Sequence, residues 1–172
     1  MSEQTEKKKP QKTRWPLVIA ACIITILILY YALHEPDHYR DGITFNRTIC
    51  GIHISSLGQT LMIYANDHND LYPDANKWCD ILMKVEDFSE KVLKCPDDKV
   101  GPCSFAMNPN CKSALASSDF VLLFETKPGW NQHGGPELLN PNNHFMKGCN
   151  ILFNDGHVQF VEPQDFNNLK WK

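Results

Sequence analysis

Apolar residues are distributed along this chain in three distinct patterns. From Trp15 to Leu33 the sequence WPLVIAACIITILILYYAL runs without a single formal charge. As a helix rising about 1.5 Å per residue it reaches roughly 28 Å, close to the ~30 Å hydrocarbon core of a bilayer. Pro16 falls near the helix start, where its missing N–H costs little. Between Ile49 and Asn66 the pattern thins to Cys50, Ile54, Leu57, Leu61 and Tyr64, spaced alternately by four and three. That spacing predicts a helix with one buried stripe, from about Phe45 to Asp67. Gly51 and Gly58 weaken it by roughly 1 kcal/mol each relative to Ala, but lie near one face and let a sheet approach closely. Asn66 to Asp70, then Tyr72 and Pro73, carry stop signals.

Beyond Pro73 the apolar blocks shorten. A short helix is expected from about Asn76 to Lys84, burying Trp78, Ile81 and Leu82, with a further turn near Glu86 to Leu93. Phe120–Glu125, Cys149–Phe153 and His157–Val161 have the length and composition of strands. Asn154, Asp155 and Gly156 join the last two as a hairpin, because Asp and Gly tolerate the positive φ of such turns. Alternation there places Val158 and Phe160 on one face and His157, Gln159 and Val161 on the other. A final helical turn is expected over residues 164–171. The predicted class is α+β: an N-terminal transmembrane helix, a long amphipathic helix packed on a small antiparallel sheet, and cysteine-rich loops.

Charge turns the first apolar run into a topology. Residues 1–14 hold Lys7, Lys8, Lys9, Lys12 and Arg14 against Glu3 and Glu6, whereas residues 34–42 hold only Arg40 against Glu35, Asp37 and Asp41. Positive-inside bias therefore predicts a cytoplasmic tail over 1–14, an anchor over 15–33, a linker over 34–44 and one exported domain over 45–172. A cleaved secretory signal is the rival; it has a shorter apolar region, about 7–15 residues, followed by a small-x-small site. No such site follows Leu33. Removing the basic tail leaves 12 Lys and Arg against 18 Asp and Glu, an acidic balance that argues against a nucleic-acid partner.

Cysteine usage agrees with export. Cys22 lies inside the anchor, and Cys50, Cys79, Cys95, Cys103, Cys111 and Cys149 all lie beyond it. In an oxidising compartment these are disulfide candidates, and the sequence leaves their pairing open. Neither Cys-x-x-Cys nor Cys-x-x-Cys-His occurs, so the usual zinc clip and covalent haem attachment are excluded as motifs.

Three segments carry a family resemblance. Residues 54–73 (ISSLGQTLMIYANDHNDLYP) are similar to the helix and Tyr-Pro exit of the planctomycete-type relatives of type IV pilins and type II secretion pseudopilins. VLKCPDD (92–98) with SFAMN (104–108) resembles their Cys-Pro loop, and NHFMKGCNILFNDGHVQFV (143–161) resembles their C-terminal prepilin-type box, in which a His precedes Asp-Gly-His-Val. Ten residues lie between His144 and Asp155, one more than in that pattern. The resemblance implies a pilin-like domain, a long helix on a short antiparallel sheet. No Gly-Phe-Thr-Leu-x-Glu cleavage sequence precedes Trp15 and the apolar run has no acidic residue near its start. Neither processing nor polymerisation is therefore expected.

Several residues compete for a chemical role. His144, Asp155 and His157, with His133 upstream, supply ligand types suited to zinc or another transition metal. Against this, Asp155 and Gly156 are what the turn demands, and His144 can serve by fixing a loop. A calcium site from Asn154, Asp155, Glu125 or Glu137 lacks the alternating acidic pattern. Trp130, in a polar loop with Glu125, Asn131, His133, Gly134, Gly135 and Glu137, either presents itself to a partner or fills the edge of the core. Cys149 follows His144 by five residues, but a disulfide half explains it better than a protease nucleophile. Asn46-Arg47-Thr48 is a glycosylation sequon. Two functions are expected from these residues. The first is a non-enzymatic, single-pass inner-membrane protein with a periplasmic pilin-like domain, contacting envelope or secretion-system proteins or itself, without a cofactor. The alternative is an exported metal-binding or hydrolytic domain using His144, Asp155 and His157.

Overall fold

In the computed structural model, residues 15–33 and 37–172 are described. The tail 1–14 and linker positions 34–36 lie outside them. The chain divides into two units, Met1–Arg40 and Asp41–Lys172. In the first, α1 (Trp15–Leu33) is helical along its whole length, and its described large hydrophobic side chains are exposed. Among the described residues no helix is long and apolar enough to cross a membrane.

Helix α2 (Asp37–Asp67) leads into the second unit, starting earlier than the expected Phe45. It ends where Asn69 and Asp70 take left-handed φ of 57° and 61° and the Asp70 N–H donates to the Ala65 carbonyl at 2.8 Å, as the polar Asn-Asp run anticipates. Of the expected stripe, Cys50, Ile54, Leu57 and Leu61 are fully buried; Tyr64 is only half-buried, and Ala65 beside it completes the stripe at the core. A short helix α3 (Trp78–Leu82) buries Trp78, Cys79 and Leu82, leaving Ile81 half-buried.

Four antiparallel strands follow in the order β1 (Phe105–Met107), β2 (Val121–Glu125), β3 (Cys149–Phe153) and β4 (Val158–Val161). Strand β1 is absent from the sequence expectation. Three residues are too short to display a period, and all three are buried. One face of the sheet, with Leu123, Leu152 and Val158, packs on α2 and α3; the other, with Phe124, Ile151, Phe153 and Val161, packs on Leu138, Leu139, Phe166, Leu169 and Trp171. Both faces are thus covered, so β2 and β3 read as solid apolar blocks. The expected final helical turn is a 3-10 segment, Pro163–Asn168, and Trp171 meets Phe124 edge-on at 4.9 Å.

The two α2 glycines set the helix-to-sheet distance. A Cβ at Gly58 would lie 2.6 Å from Leu152 Cδ2, and one at Gly51 would lie 3.3 Å from Asn150 Oδ1. At the hairpin, Gly156 alone takes positive φ, 88°.

Candidate functional site

Four elements of the second unit converge where the buried stripe of α2 meets the end of the sheet. Cys50 opens that stripe. Cys95 sits in the turn after a 3-10 segment, its N–H donating to Ser104 Oγ at 2.9 Å and its carbonyl accepting from the Asp98 N–H at 3.0 Å. Glu125 is the last residue of β2; with side chains alternating along the strand it shares the α2 side with Leu123, opposite Phe124. His144 comes from the turn Asn143–Met146, which precedes β3 and holds His144 and Phe145 at left-handed φ of 48° and 59°. Two consecutive left-handed residues other than Gly are strained, of order 1–3 kcal/mol each, and persist only where surrounding contacts dictate them.

Those contacts centre on His144. Its Nδ1 lies 2.8 Å from Asp97 Oδ2 and its Nε2 lies 2.8 Å from Glu125 Oε1. Asp97 is held in turn by Asn46 Nδ2, which donates to its Oδ1 at 2.7 Å. Glu125 accepts from the Asn150 N–H at Oε2 (2.6 Å) and from Asn150 Nδ2 at Oε1 (3.1 Å), and the Cys50 thiol donates to that same Oε1. The sulfurs of Cys50 and Cys95 lie within 4.8 Å of each other. Cys50, Cys95, Glu125 and His144 are 0, 6, 0 and 3% exposed, so all four are buried. Just outside, a cleft of about 480 Å³ brings solvent to Cys95, Asp97, Asn143 and His144.

Burial pushes the Cys50 thiol far above its ordinary range, reinforced by Cys95 and the Glu125 charge. Cys95 is held down at about 7, chiefly by the neighbouring Cys50 thiol and then by His144, against its own burial. Burial alone would lower His144; hydrogen bonds and charge from Cys95 and Glu125 outweigh it and raise the imidazole to about 10.

The other sequence candidates fall elsewhere. Asp155 and His157 pair at the exposed β3–β4 turn, Oδ1 to Nδ1 at 2.5 Å. They do not join His144 in a common ligand set: β3 intervenes, and a five-residue strand spans about 16 Å. Among the described residues the one group of three or more close donors is Cys50, Cys95, Glu125 and His144. Asn154 is buried, accepting from Tyr72 Oη at 2.9 Å, while Glu137 is exposed and takes the Gly135 N–H. These and Glu125 lie in different surroundings, unlike a calcium loop. His133 is exposed, bridging to Met107. Trp130 is 41% exposed and its Nε1 donates to Asp80 Oδ1 at 2.8 Å.

All seven cysteines are free thiols. Cys79 and Cys103 are buried neighbours, as Cys50 and Cys95 are. Cys111 and Cys149 belong to the clusters on opposite faces of the sheet, with the Cys111 thiol donating to Asn154 Oδ1 and the Cys149 thiol to the Asn140 carbonyl. No protein-family model, curated protein or solved structure matches the chain.

The sequence reading assigned Cys50 and Cys95 to disulfides and Glu125 to a partner loop or calcium. Their wide separation hides the quartet from any spacing rule. The available signals were Cys50 on the buried stripe and a carboxylate ending an otherwise apolar strand.

Proposed function

We propose that this protein is a membrane-anchored, pilin-like component of the cell envelope or of a secretion assembly, working by protein–protein contact and not by turnover. Residues 15–33 are its single inner-membrane span, 1–14 stay cytoplasmic, and the α+β domain stands on the periplasmic side. The span is supported by its uncharged composition and basic leading flank.

The observation that carries the contact reading is the outer face of α2. Opposite the buried stripe, Phe45, Ile52 and Ile63 are 64, 54 and 62% exposed. Spacings of seven and eleven return to within about 20° of one another on a helix, so the three form one apolar line. Such a line on a helix otherwise committed to the core marks an interface with another envelope protein. The clustered donor residues, by contrast, are buried.

A photo-crosslinker at Ile52 of the full-length protein in intact membranes tests this reading. A covalent adduct with an envelope protein is expected, together with retention of the chain in the membrane after alkaline extraction. Recovery as an isolated monomer, or turnover of a substrate by the purified full-length protein, overturns it. The competing hydrolytic reading on His144, Asp155 and His157 requires an open metal position facing substrate, and the buried setting of His144 offers no support for one.

A further inference from the structure

We propose that Cys50, Cys95, Glu125 and His144 hold one zinc ion in a closed, four-coordinate structural site. Each residue offers one donor atom, and the four atoms lie within 4.8 Å of one another. Tetrahedral zinc, with bonds of about 2.3 Å to sulfur and ~2.0–2.2 Å to nitrogen and oxygen, spaces its ligands ~3.3–3.8 Å apart. To reach that spacing, pairs as far apart as 4.8 Å draw in by about 1 Å, while His144 Nε2 and the Cys50 sulfur each back away from Glu125 Oε1. Two thiolates and an imidazole are the ligands that select zinc over the hard cations magnesium and calcium, and the carboxylate completes the set.

The surroundings are built as an outer shell. Asp97 accepts from Nδ1 of His144, which directs Nε2 at the centre, and Asn46 fixes Asp97 from behind. This is the carboxylate–histidine arrangement that orients metal-bound imidazoles. The backbone N–H of Asn150 takes Glu125 Oε2, leaving Oε1 as the ligand oxygen. The Cys50 thiol, His144 Nε2 and Asn150 Nδ2 all aim at that one oxygen, a crowding of donors that a cation relieves. As zinc binds, the thiol protons of Cys50 and Cys95 and any proton on His144 Nε2 pass to solvent, and the Nδ1 proton stays on His144, donated to Asp97. The cleft beside Cys95 and His144 is the entry path. With four protein ligands and no open position, the ion ties α2 to the end of the sheet and does no chemistry.

The same two sulfurs define the competing outcome, a Cys50–Cys95 disulfide formed on export. A disulfide needs neither Glu125 nor His144, whereas the zinc site needs both. Full-length protein purified in mild detergent, without reductant or chelator, is analysed for metals. About one zinc per chain is expected, lost in Cys95→Ser and in His144→Gln. Asp97→Asn keeps every ligand and is expected to weaken zinc binding about 10–100-fold in competition with a chromophoric chelator. Should the ligand variants fail to fold, replacement of zinc by cobalt in the unaltered protein must produce thiolate-to-cobalt absorption. Substoichiometric zinc that added zinc does not restore, zinc surviving His144→Gln, absent cobalt–thiolate absorption, or a Cys50–Cys95 disulfide in the isolated protein each overturn the proposal.

Discussion

At Gly58 the missing Cβ lets β3 lie against α2, with Leu152 occupying the space a methyl group would fill at 2.6 Å. Leu152 is fully buried, so its whole side chain would have to move. Gly58→Ala gains about 1 kcal/mol of helix propensity but overpacks the core at a cost of ~1–3 kcal/mol. A net loss of stability is expected, measured as a lower urea midpoint at unchanged slope; a higher midpoint would show that α2 and β3 are not in close contact. This close approach was legible in the sequence, because two glycines on one face of an amphipathic helix have few other uses. The role of Glu125 was not. A carboxylate ending an apolar strand resembles a surface residue until Asn150, His144 and Cys50 are placed around it.

Among the elements, the long helix was readable from its stripe, and β3 from its apolar block and turn chemistry. Helix α3 is different. With only five residues it has no side-chain cap of its own, and isolated helices of that length are unstable in water. Asn131, far along the chain, supplies the cap: its Oδ1 accepts the Cys79 N–H at 2.8 Å and its Nδ2 donates to Asp80 Oδ2 at 2.6 Å. Trp130 beside it reaches the same carboxylate, which lowers the Asp80 pKa chiefly through these two hydrogen bonds, Trp130 first. Losing a cap costs about 0.5–2 kcal/mol. Asn131→Ala is therefore expected to destabilise the domain by an amount in that range in chemical denaturation and to loosen the packing of Trp78 in its near-ultraviolet spectrum. An unchanged midpoint would mean that α3 is held by burial alone. Trp130 thus has a structural partner while part of its surface remains exposed.

For the whole molecule, the cysteines test both export and packing. Cys79 and Cys103 are adjacent, and Cys111 and Cys149 are separated by the sheet. If the domain is exported as proposed, peptide mapping under non-reducing conditions is expected to show the neighbouring free thiols of Cys79 and Cys103 converted to a disulfide, with Cys111 and Cys149 alkylated only after unfolding. A Cys111–Cys149 link would contradict the layer arrangement. The sequence by itself determined the elements whose information is local: an uncharged helical run over 15–33, the period of α2, the turn at Gly156, and the α+β class they compose. It also identified His144 as a residue of interest through its resemblance to a family box. Only the tertiary structure decided His144's partners, the separation of Asp155 and His157 from it, and the covering of both sheet faces. Secondary structure follows from neighbours in the chain, which a period records. A ligand set drawn from α2, a loop, the end of β2 and a strained turn follows from packing, which leaves no regular spacing to read.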